Sequence, residues 1–225
     1  NDKERFRALF IKPKNAKINK ALKNVSFDIY PGESIGIIGD NGAGKSTLMS
    51  MLSGLYEPDE GEIYIRGEKV NISSPNHAAK LNIGMVHQHF KLVPDYTVTE
   101  NIILGIEPLK KWAGLFPYVA IRDANRKIAE LSKNFGLEVD PSKKIVDLTV
   151  SMQQRVEILK VLYREAEILI FDEPTAVLTP QEIEFLLNII EGLRDAGKTI
   201  ILITHKLEEI KKVADRCAVL NKGRL

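Results

Sequence analysis

Residues 35–47 read IGIIGDNGAGKST, an apolar strand pattern that runs into a glycine-rich turn and then the start of a helix. The glycines allow the backbone to curl so that successive N–H groups point at phosphate oxygens, and the helix adds its positive dipole end. We predict a phosphate-binding loop made of Gly39, Asp40, Asn41, Gly42, Ala43, Gly44, Lys45, Ser46 and Thr47. In such a loop Lys45 reaches the β- and γ-phosphates of a nucleoside triphosphate, and the Ser46 hydroxyl ligates Mg²⁺.

The composition is that of an ordinary globular chain. Its 225 residues are 44% hydrophobic and 28% charged, and 32 basic against 30 acidic residues give a net charge of +2. No sequence-wide charge therefore points to nucleic acid, and no nucleic-acid partner is expected. The single cysteine, Cys217, excludes an internal disulfide framework, and its apolar surroundings predict a buried structural thiol in a reducing compartment. No apolar run reaches the roughly 18 residues that span a bilayer, so the chain itself is expected to stay in water.

Short apolar runs alternate with helical patterns along the chain. Val25, Phe27 and Ile29 alternate with polar residues and predict a strand, and Pro31-Gly32 then breaks the chain before the strand at residues 35–38. Further strands are predicted at residues 63–65, 83–86, 168–171, 199–204 and 217–220. This alternation favours an α/β layer structure with a largely parallel sheet.

The stretch from residue 97 to residue 164 has apolar residues at helical spacing and no convincing strand, so it predicts an inserted helical subdomain. Within it, residues 112–118 combine Gly, Pro and aromatics without a period and are expected to form an irregular loop. The first residue is not Met and the last, Leu225, follows a strand pattern, which suggests a piece cut from a longer protein.

Two carboxylates, Asp172 and Glu173, end the apolar strand pattern at residues 168–171. Successive strand residues point in opposite directions, so the two acids have different roles. Asp172 is expected to hold Mg²⁺, and Glu173 to polarise the water that attacks the γ-phosphate.

His205 and Gln88 each follow a predicted strand, where an open parallel sheet faces its ligand crevice. We expect the His205 imidazole to contact the γ-phosphate, and the Gln88 amide oxygen to reach Mg²⁺ or the attacking water. His87 and His89 flank Gln88 but have no third ligand near them in the sequence, so we interpret them as incidental rather than as a zinc pair.

The ordered set of motifs resembles that of ABC ATPases. It comprises the phosphate-binding loop, Gln88, the signature segment Leu148-Thr149-Val150-Ser151-Met152-Gln153-Gln154-Arg155, the Asp172-Glu173 pair and His205. The resemblance implies a RecA-like P-loop NTPase core with a mainly parallel sheet, an antiparallel β subdomain and an inserted α-helical subdomain. The catalytic core would comprise residues 1–96 and 165–225, and the helical subdomain residues 97–164.

The same resemblance implies a head-to-tail dimer, in which Ser151 and Gln153 of one domain cap the ATP held by the other. Ser151 precedes a helical pattern and is expected to cap that helix.

Two positions depart from the family pattern. Val150 replaces a glycine of the usual LSGGQ signature, which would hinder close backbone approach to phosphate, and Thr179 replaces an aspartate. Thr179 instead opens a capping box with Glu182, with Pro180 at the first helical position.

Residues 84–94, 150–160 and 171–183 resemble ATPases of nucleoside importers, which are related to sugar importers and usually carry two such domains in one chain. The resemblance implies transmembrane permease partners and a peripheral position on the cytoplasmic side of the membrane. Residues 2–10 and 21–27 instead resemble polysaccharide and teichoic acid export ATPases, so a hybrid chain and an export role stay open. The expected adenine-stacking aromatic is Phe6 or Phe10.

Three other classes fit less well. A soluble ABC-type ATPase of DNA repair or ribosome remodelling would show a basic stripe or a long coiled coil, and neither is visible. A P-loop GTPase would need an aspartate that residues 221–224 lack. A purely regulatory nucleotide-binding module would have no need of the Asp172-Glu173 pair.

Overall fold

Five strands form one parallel sheet in the computed structural model, which describes residues 21–112 and 116–225. In spatial order they are β4 (Ile83–Val86), β7 (Ile168–Asp172), β8 (Thr199–Thr204), β1 (Ser34–Ile38) and β9 (Arg216–Val219). Every neighbouring pair is parallel, which confirms the predicted mainly parallel sheet. The carboxyl ends of all five strands therefore meet at one edge, where ligands of open α/β sheets bind.

Both faces of the sheet are buried, because the interior positions of β7 and β8 are apolar on both sides. In β7, Leu169 and Phe171 join one core cluster, whereas Ile170 joins the cluster on the opposite face. Strand β8 divides in the same way, with Leu202 on the first face and Ile203 on the second. Alternate strand residues point to opposite faces, so such a run can fill two cores at once.

Helices cover both faces. They are α1 (Lys45–Leu52), α2 (Pro75–Lys80), α3 (Val98–Ile103), α4 (Ile121–Asn134), α5 (Val150–Tyr163), α6 (Pro180–Asp195) and α7 (Leu207–Val213), with a 3₁₀ turn at Ile145–Asp147. The predicted capping box opens α6, since the Thr179 side chain accepts from the Glu182 amide and the Glu182 carboxylate accepts from the Thr179 amide. Across the described part of the chain, no helix is long and apolar enough to cross a bilayer.

A separate antiparallel hairpin is formed by β2 (Ile63–Ile65) and β3 (Glu68–Val70). The strand predicted from Val25, Phe27 and Ile29 is not formed, because within the described residues this segment has no strand to pair with. Its apolar side chains are nevertheless partly buried against the core cluster that contains Ile37. The alternating pattern therefore predicted the burial of these three side chains correctly, but the strand that it predicted is wrong.

The inserted region between residues 97 and 164 contains α3, α4 and α5, as expected, but it also contains a hairpin. Strands β5 (Leu109–Trp112) and β6 (Phe116–Val119) pair antiparallel, which corrects the prediction of an irregular loop without strands. Lys110 pairs with Tyr118 in this register, so backbone pairing holds this non-periodic sequence in a hairpin. Residues 113–115, between these two strands in the sequence, lie outside the described residues.

Helix α5 crosses from the inserted region to the sheet. A Cβ added at Gly84 of β4 would lie 2.8 Å from the Val161 Cβ of α5, which shows how closely this helix packs on the sheet. The division at residues 97 and 164 stays a prediction. The Cys217 side chain is exposed rather than buried, because it lies on β9, the edge strand of the sheet.

Candidate functional site

The phosphate-binding loop joins β1 to α1. Gly42 and Gly44 have φ values of +79° and +106°, a left-handed conformation that residues with a Cβ rarely adopt. Gly44 occupies the N-cap position of α1 and, as a glycine, has no side chain with which to cap the helix. The first-turn N–H groups of a helix have no partner within the helix, so those of α1 are free to bind an anion. Residues 39–47 thus have the backbone form of a phosphate site.

Lys45 is the first residue of α1 and is only 5% exposed. Its ammonium group donates hydrogen bonds to the carbonyl oxygens of Gly39, at 2.6 Å, and Asp40, at 3.2 Å. It also lies 4.0 Å from the Glu173 Oε1. The Lys45 ammonium therefore lies between the loop carbonyl oxygens and the Glu173 carboxylate, which follows β7.

Asp172 ends β7 and is 8% exposed, and its Oδ1 atom has no hydrogen-bond partner among the described residues. Burial, reinforced by the neighbouring Glu173 charge, raises the pKa of this carboxyl, whereas the Ser46 hydroxyl and the Lys45 ammonium act in the opposite direction. A buried carboxylate oxygen without a partner, beside a serine hydroxyl, fits a hard divalent cation. The residues predicted to bind Mg²⁺ thus include Asp172, whose buried Oδ1 atom is available as a metal ligand.

Glu173 follows β7 with a φ of +45°, an unfavourable conformation for a residue with a Cβ. Its amide donates to the Ile203 carbonyl of β8 at 2.9 Å, which carries the strand pairing one residue past the end of β7. The Glu173 side chain is only 17% exposed, and its Oε1 lies 3.6 Å from the His205 Nδ1. Backbone strain of this kind concentrates at functional sites, where the surrounding structure enforces it.

His205 and Gln88 lie at the same edge of the sheet. His205 directly follows β8, and more than half of its side chain is exposed. Gln88 lies two residues after β4, the neighbour of β7, and is also exposed. Within the described residues the Gln88 amide makes no hydrogen bond to Asp172, Glu173 or His205. The side chains of Lys45, Glu173 and His205 thus lie close together. Gln88 lies at the same edge of the sheet but does not contact them through a hydrogen bond.

The signature segment begins α5, and Thr149, not Ser151, caps the helix. The Thr149 backbone is extended and its hydroxyl accepts from the Met152 amide at 3.4 Å, which corrects the expected cap. Ser151 instead lies in the first turn of α5. The Gln153 amide nitrogen donates to the carbonyls of Ile145 and Leu148, at 3.4 and 3.1 Å. Neither predicted ATP contact from this segment bonds to residues 39–47 of its own chain.

Sequence reasoning missed three polar side chains on α5 that bind the main chain of site segments. The Gln154 amide nitrogen donates to the Pro174 carbonyl at 2.6 Å. The Glu157 Oε1 accepts from the Lys91 amide at 2.6 Å, and the Lys160 ammonium donates to the Lys91 carbonyl at 2.9 Å. Gln154 and Glu157 are buried. Polar residues at buried positions of a helix were the available signal, because such groups need partners.

Residues 22–176 match the family described as ABC transporter. The chain belongs to the ABC transporter family. Two curated relatives of this family are the nucleoside import ATP-binding protein NupA of Lactococcus lactis subsp. cremoris, 56% identical, and the guanosine import ATP-binding protein NupO of Bacillus subtilis, 54% identical. Each alignment covers 91% of this ABC chain but only 39% of the relative, so the chain spans well under half of their length.

Solved ABC cassettes share the fold. The dimeric, post-hydrolysis structure of the ATP-binding cassette MJ0796 bound to ADP and phosphate has a TM-score of 0.77 and 28% identity, and covers 95% of this chain and 92% of that one. A nucleotide-free cassette from an ABC transporter has a TM-score of 0.79 and 25% identity, and covers 94% and 85%. The predicted P-loop NTPase core is thereby confirmed. The leading segment with Phe6 and Phe10 lies outside the described residues.

Proposed function

We propose that this chain binds ATP with Mg²⁺ and hydrolyses it, as one half of a head-to-tail pair that powers import of a small solute across a membrane. The observation that carries the proposal is the Glu173 carboxylate, which lies between the Lys45 ammonium and the His205 imidazole. All three groups lie beside a glycine-rich loop whose helix N-terminus suits phosphate. Such an arrangement has a base, a cation and a hydrogen-bond donor around one anion site.

Each residue has a distinct part in this proposal. The backbone amides of residues 39–47 and the Lys45 ammonium bind the phosphates and stabilise the charge that develops during transfer. Glu173 orients and polarises the attacking water, and His205 donates a hydrogen bond to the γ-phosphate. Ser46, Asp172 and Gln88 would hold Mg²⁺ through oxygen atoms. When bound, Mg²⁺ neutralises the charge of the β- and γ-phosphate oxygens.

The second half of the pair would supply Ser151 and Gln153 to this ATP. This assignment accords with their lack of bonds to the loop of their own chain, and with the dimeric state of the MJ0796 cassette. Val150 is 44% exposed at the start of α5, where the family pattern has glycine. Its side chain would hold the partner's phosphates away from this helix end, so we propose slower turnover at the half-site that it completes.

The direction and cargo of transport rest on the relatives. NupA and NupO are import proteins for nucleosides and guanosine by name, so a nucleoside is the proposed cargo and a sugar the second choice. Transmembrane permease subunits would bind the solute, and this chain would dock on their cytoplasmic side through the inserted region, residues 97–164. The catalytic core would then be residues 1–96 and 165–225.

The test is the isosteric substitution Glu173→Gln, which removes the base but keeps the size of the side chain. Phosphate release from Mg·ATP should fall by about 100-fold or more, while ATP binding persists. Light scattering or gel filtration should then show an ATP-dependent dimer. The matched control, Glu184→Gln, changes an exposed glutamate on α6 and should leave hydrolysis unchanged. Full hydrolysis by the Glu173→Gln protein would refute the catalytic assignment.

A further inference from the structure

Glu209 is a buried carboxylate that lies outside the predicted site residues. It belongs to the first turn of α7, directly after the loop that contains His205, and is 3% exposed. Removing a carboxylate from water is costly unless hydrogen bonds and an opposite charge compensate it. The position of Glu209 therefore requires partners that hold it there.

Two threonine hydroxyls supply the hydrogen bonds, one to each oxygen of the carboxylate. Thr175 donates to Oε1 at 2.5 Å, and Thr204 donates to Oε2 at 2.8 Å. Both threonines are themselves nearly inaccessible to solvent. Charge-assisted hydrogen bonds are shorter and stronger than neutral ones, so the carboxylate acts as a bidentate connection between the two hydroxyls.

Lys206 compensates the charge. Its ammonium lies 3.3 Å from the Glu209 Oε1, and it also donates to Thr175, at 3.2 Å to the hydroxyl and 3.4 Å to the carbonyl. The group formed by Thr175, Thr204, Lys206 and Glu209, here termed the threonine clamp, is thus internally satisfied. A satisfied buried network rigidifies the segments that it joins.

The clamp joins the two segments that carry the reacting groups. Thr175 comes two residues after Glu173, and Thr204 comes immediately before His205. Because β7 and β8 are paired neighbours, their ends already lie side by side, but Thr175 and His205 lie beyond the paired residues. We propose that Glu209 is a positioning residue that sets the distance between the Glu173 carboxylate and the His205 imidazole. This inference rests on the proposed function, in which those two groups act on ATP.

The expected effect is on turnover rather than on binding. A misplacement of about 1 Å in a reacting group can cost about 100-fold in rate. Replacing Glu209 by Gln removes the charge and one acceptor while the volume is kept. Glu209→Gln should lower kcat for phosphate release by about 10- to 100-fold, with KM for ATP within about twofold of the unsubstituted chain. Glu208→Gln, the adjacent and exposed control, should leave both values unchanged.

Three further variants separate positioning from a general loss of structure. Thr175→Val removes only the hydroxyl and should reproduce the fall in kcat, whereas Thr175→Ser keeps the hydroxyl and should restore it. In a His205→Ala background, Glu209→Gln should lower kcat by less than about twofold, because both changes remove the same catalytic arrangement. Should Glu209→Gln fail to fold, as shown by urea denaturation, the two Thr175 variants decide the question.

The outcomes also distinguish this inference from the proposed function. If the unsubstituted chain releases no phosphate from Mg·ATP, the proposed function fails. If it does release phosphate but Thr175→Val keeps the unsubstituted kcat, or Glu209→Gln acts in full on top of His205→Ala, the positioning role is refuted.

Discussion

Replacing Gly39 by Ala tests how tightly the phosphate-binding loop is packed. A Cβ at this position would lie 2.2 Å from the Leu220 carbonyl oxygen and 3.2 Å from the Ala43 Cβ. The first distance is roughly 1 Å below van der Waals contact. Leu220 cannot easily yield, because it is buried and its amide donates to the Ile38 carbonyl at 2.8 Å.

The cost should resemble that of overpacking a core, about 1–3 kcal/mol of unfolding free energy. For a chain of this size that lowers Tm by about 2–12 °C. A shift of Gly39 also moves the carbonyl that accepts the Lys45 hydrogen bond at 2.6 Å, so ATP affinity should fall by about 10-fold, or 1.4 kcal/mol. Thermal and urea denaturation without nucleotide measure the first effect, and titration with a fluorescent ATP analogue measures the second.

Gly192→Ala is the matched control, since it adds the same methyl group with the opposite expected sign. Gly192 is exposed within α6, and apart from its chain neighbours and the nearby backbone of that helix no atom of the described residues lies within 4 Å of a Cβ there. Alanine is a better helix former than glycine by about 0.8–1.0 kcal/mol, so this variant should be more stable. A Gly39→Ala chain with the Tm and ATP affinity of the unsubstituted protein would refute the close approach to Leu220.

Three further changes have defined expectations in urea denaturation without nucleotide or metal. Asp172→Asn should stabilise the chain by about 1–2 kcal/mol at pH 8, because it removes a buried ionised carboxylate with an unpaired oxygen. This gain should shrink as the pH falls through the raised pKa of Asp172, since protonation then relieves the same cost in the unsubstituted chain. Phe171→Ala should cost about 3–5 kcal/mol, because the side chain is fully buried beneath the site. Thr149→Ala should cost about 1 kcal/mol through loss of the α5 cap, and Thr149→Ser should cost almost nothing.

Each of the three has a contrary result. A destabilised Asp172→Asn chain at pH 8, or a gain independent of pH, would contradict the buried-charge argument, with the exposed Asp95→Asn as control. Loss of less than about 1 kcal/mol in Phe171→Ala would mean that the strand core is looser than described. Equal stability of Thr149→Ala and Thr149→Ser would show that the hydroxyl does not stabilise α5 as its cap.

The parts of the site that are local in sequence could be predicted from it. The segment from Ser34 to Thr47 is a contiguous strand, turn and helix start, so its form follows from glycine placement and hydrophobic pattern alone. The capping box of Thr179 and Glu182 is equally local. Carboxylates that follow an apolar strand could be assigned to the ligand edge once the sheet was known to be parallel.

Features that depend on pairing or competition could not be predicted in this way. Residues 25–29 alternate like a strand, yet strand formation needs a neighbour that the local pattern does not specify. The sequence of the β5–β6 hairpin has no strand period, so the backbone pairing of its two strands could not be predicted from the pattern. Ser151 alone was predicted to cap α5, and only the extended backbone at Thr149, two residues earlier, identifies the residue that does. The threonine clamp joins residues 175, 204 and 209, which three-dimensional structure alone brings together.

The attachment of α5 to the site has a consequence for building chimaeric transporters. Gln154, Glu157 and Lys160 all bind main-chain atoms, at Pro174 and Lys91, so any residue except proline at position 91 offers the same hydrogen-bond partners. A copy of α5 transplanted from a relative that has the same three polar side chains would therefore form the same bonds, and the recipient loop would need no compensating change. Where α5 contacts Lys91 and Pro174, exchange of the inserted region should therefore tolerate sequence differences in these loop residues far better than in α5.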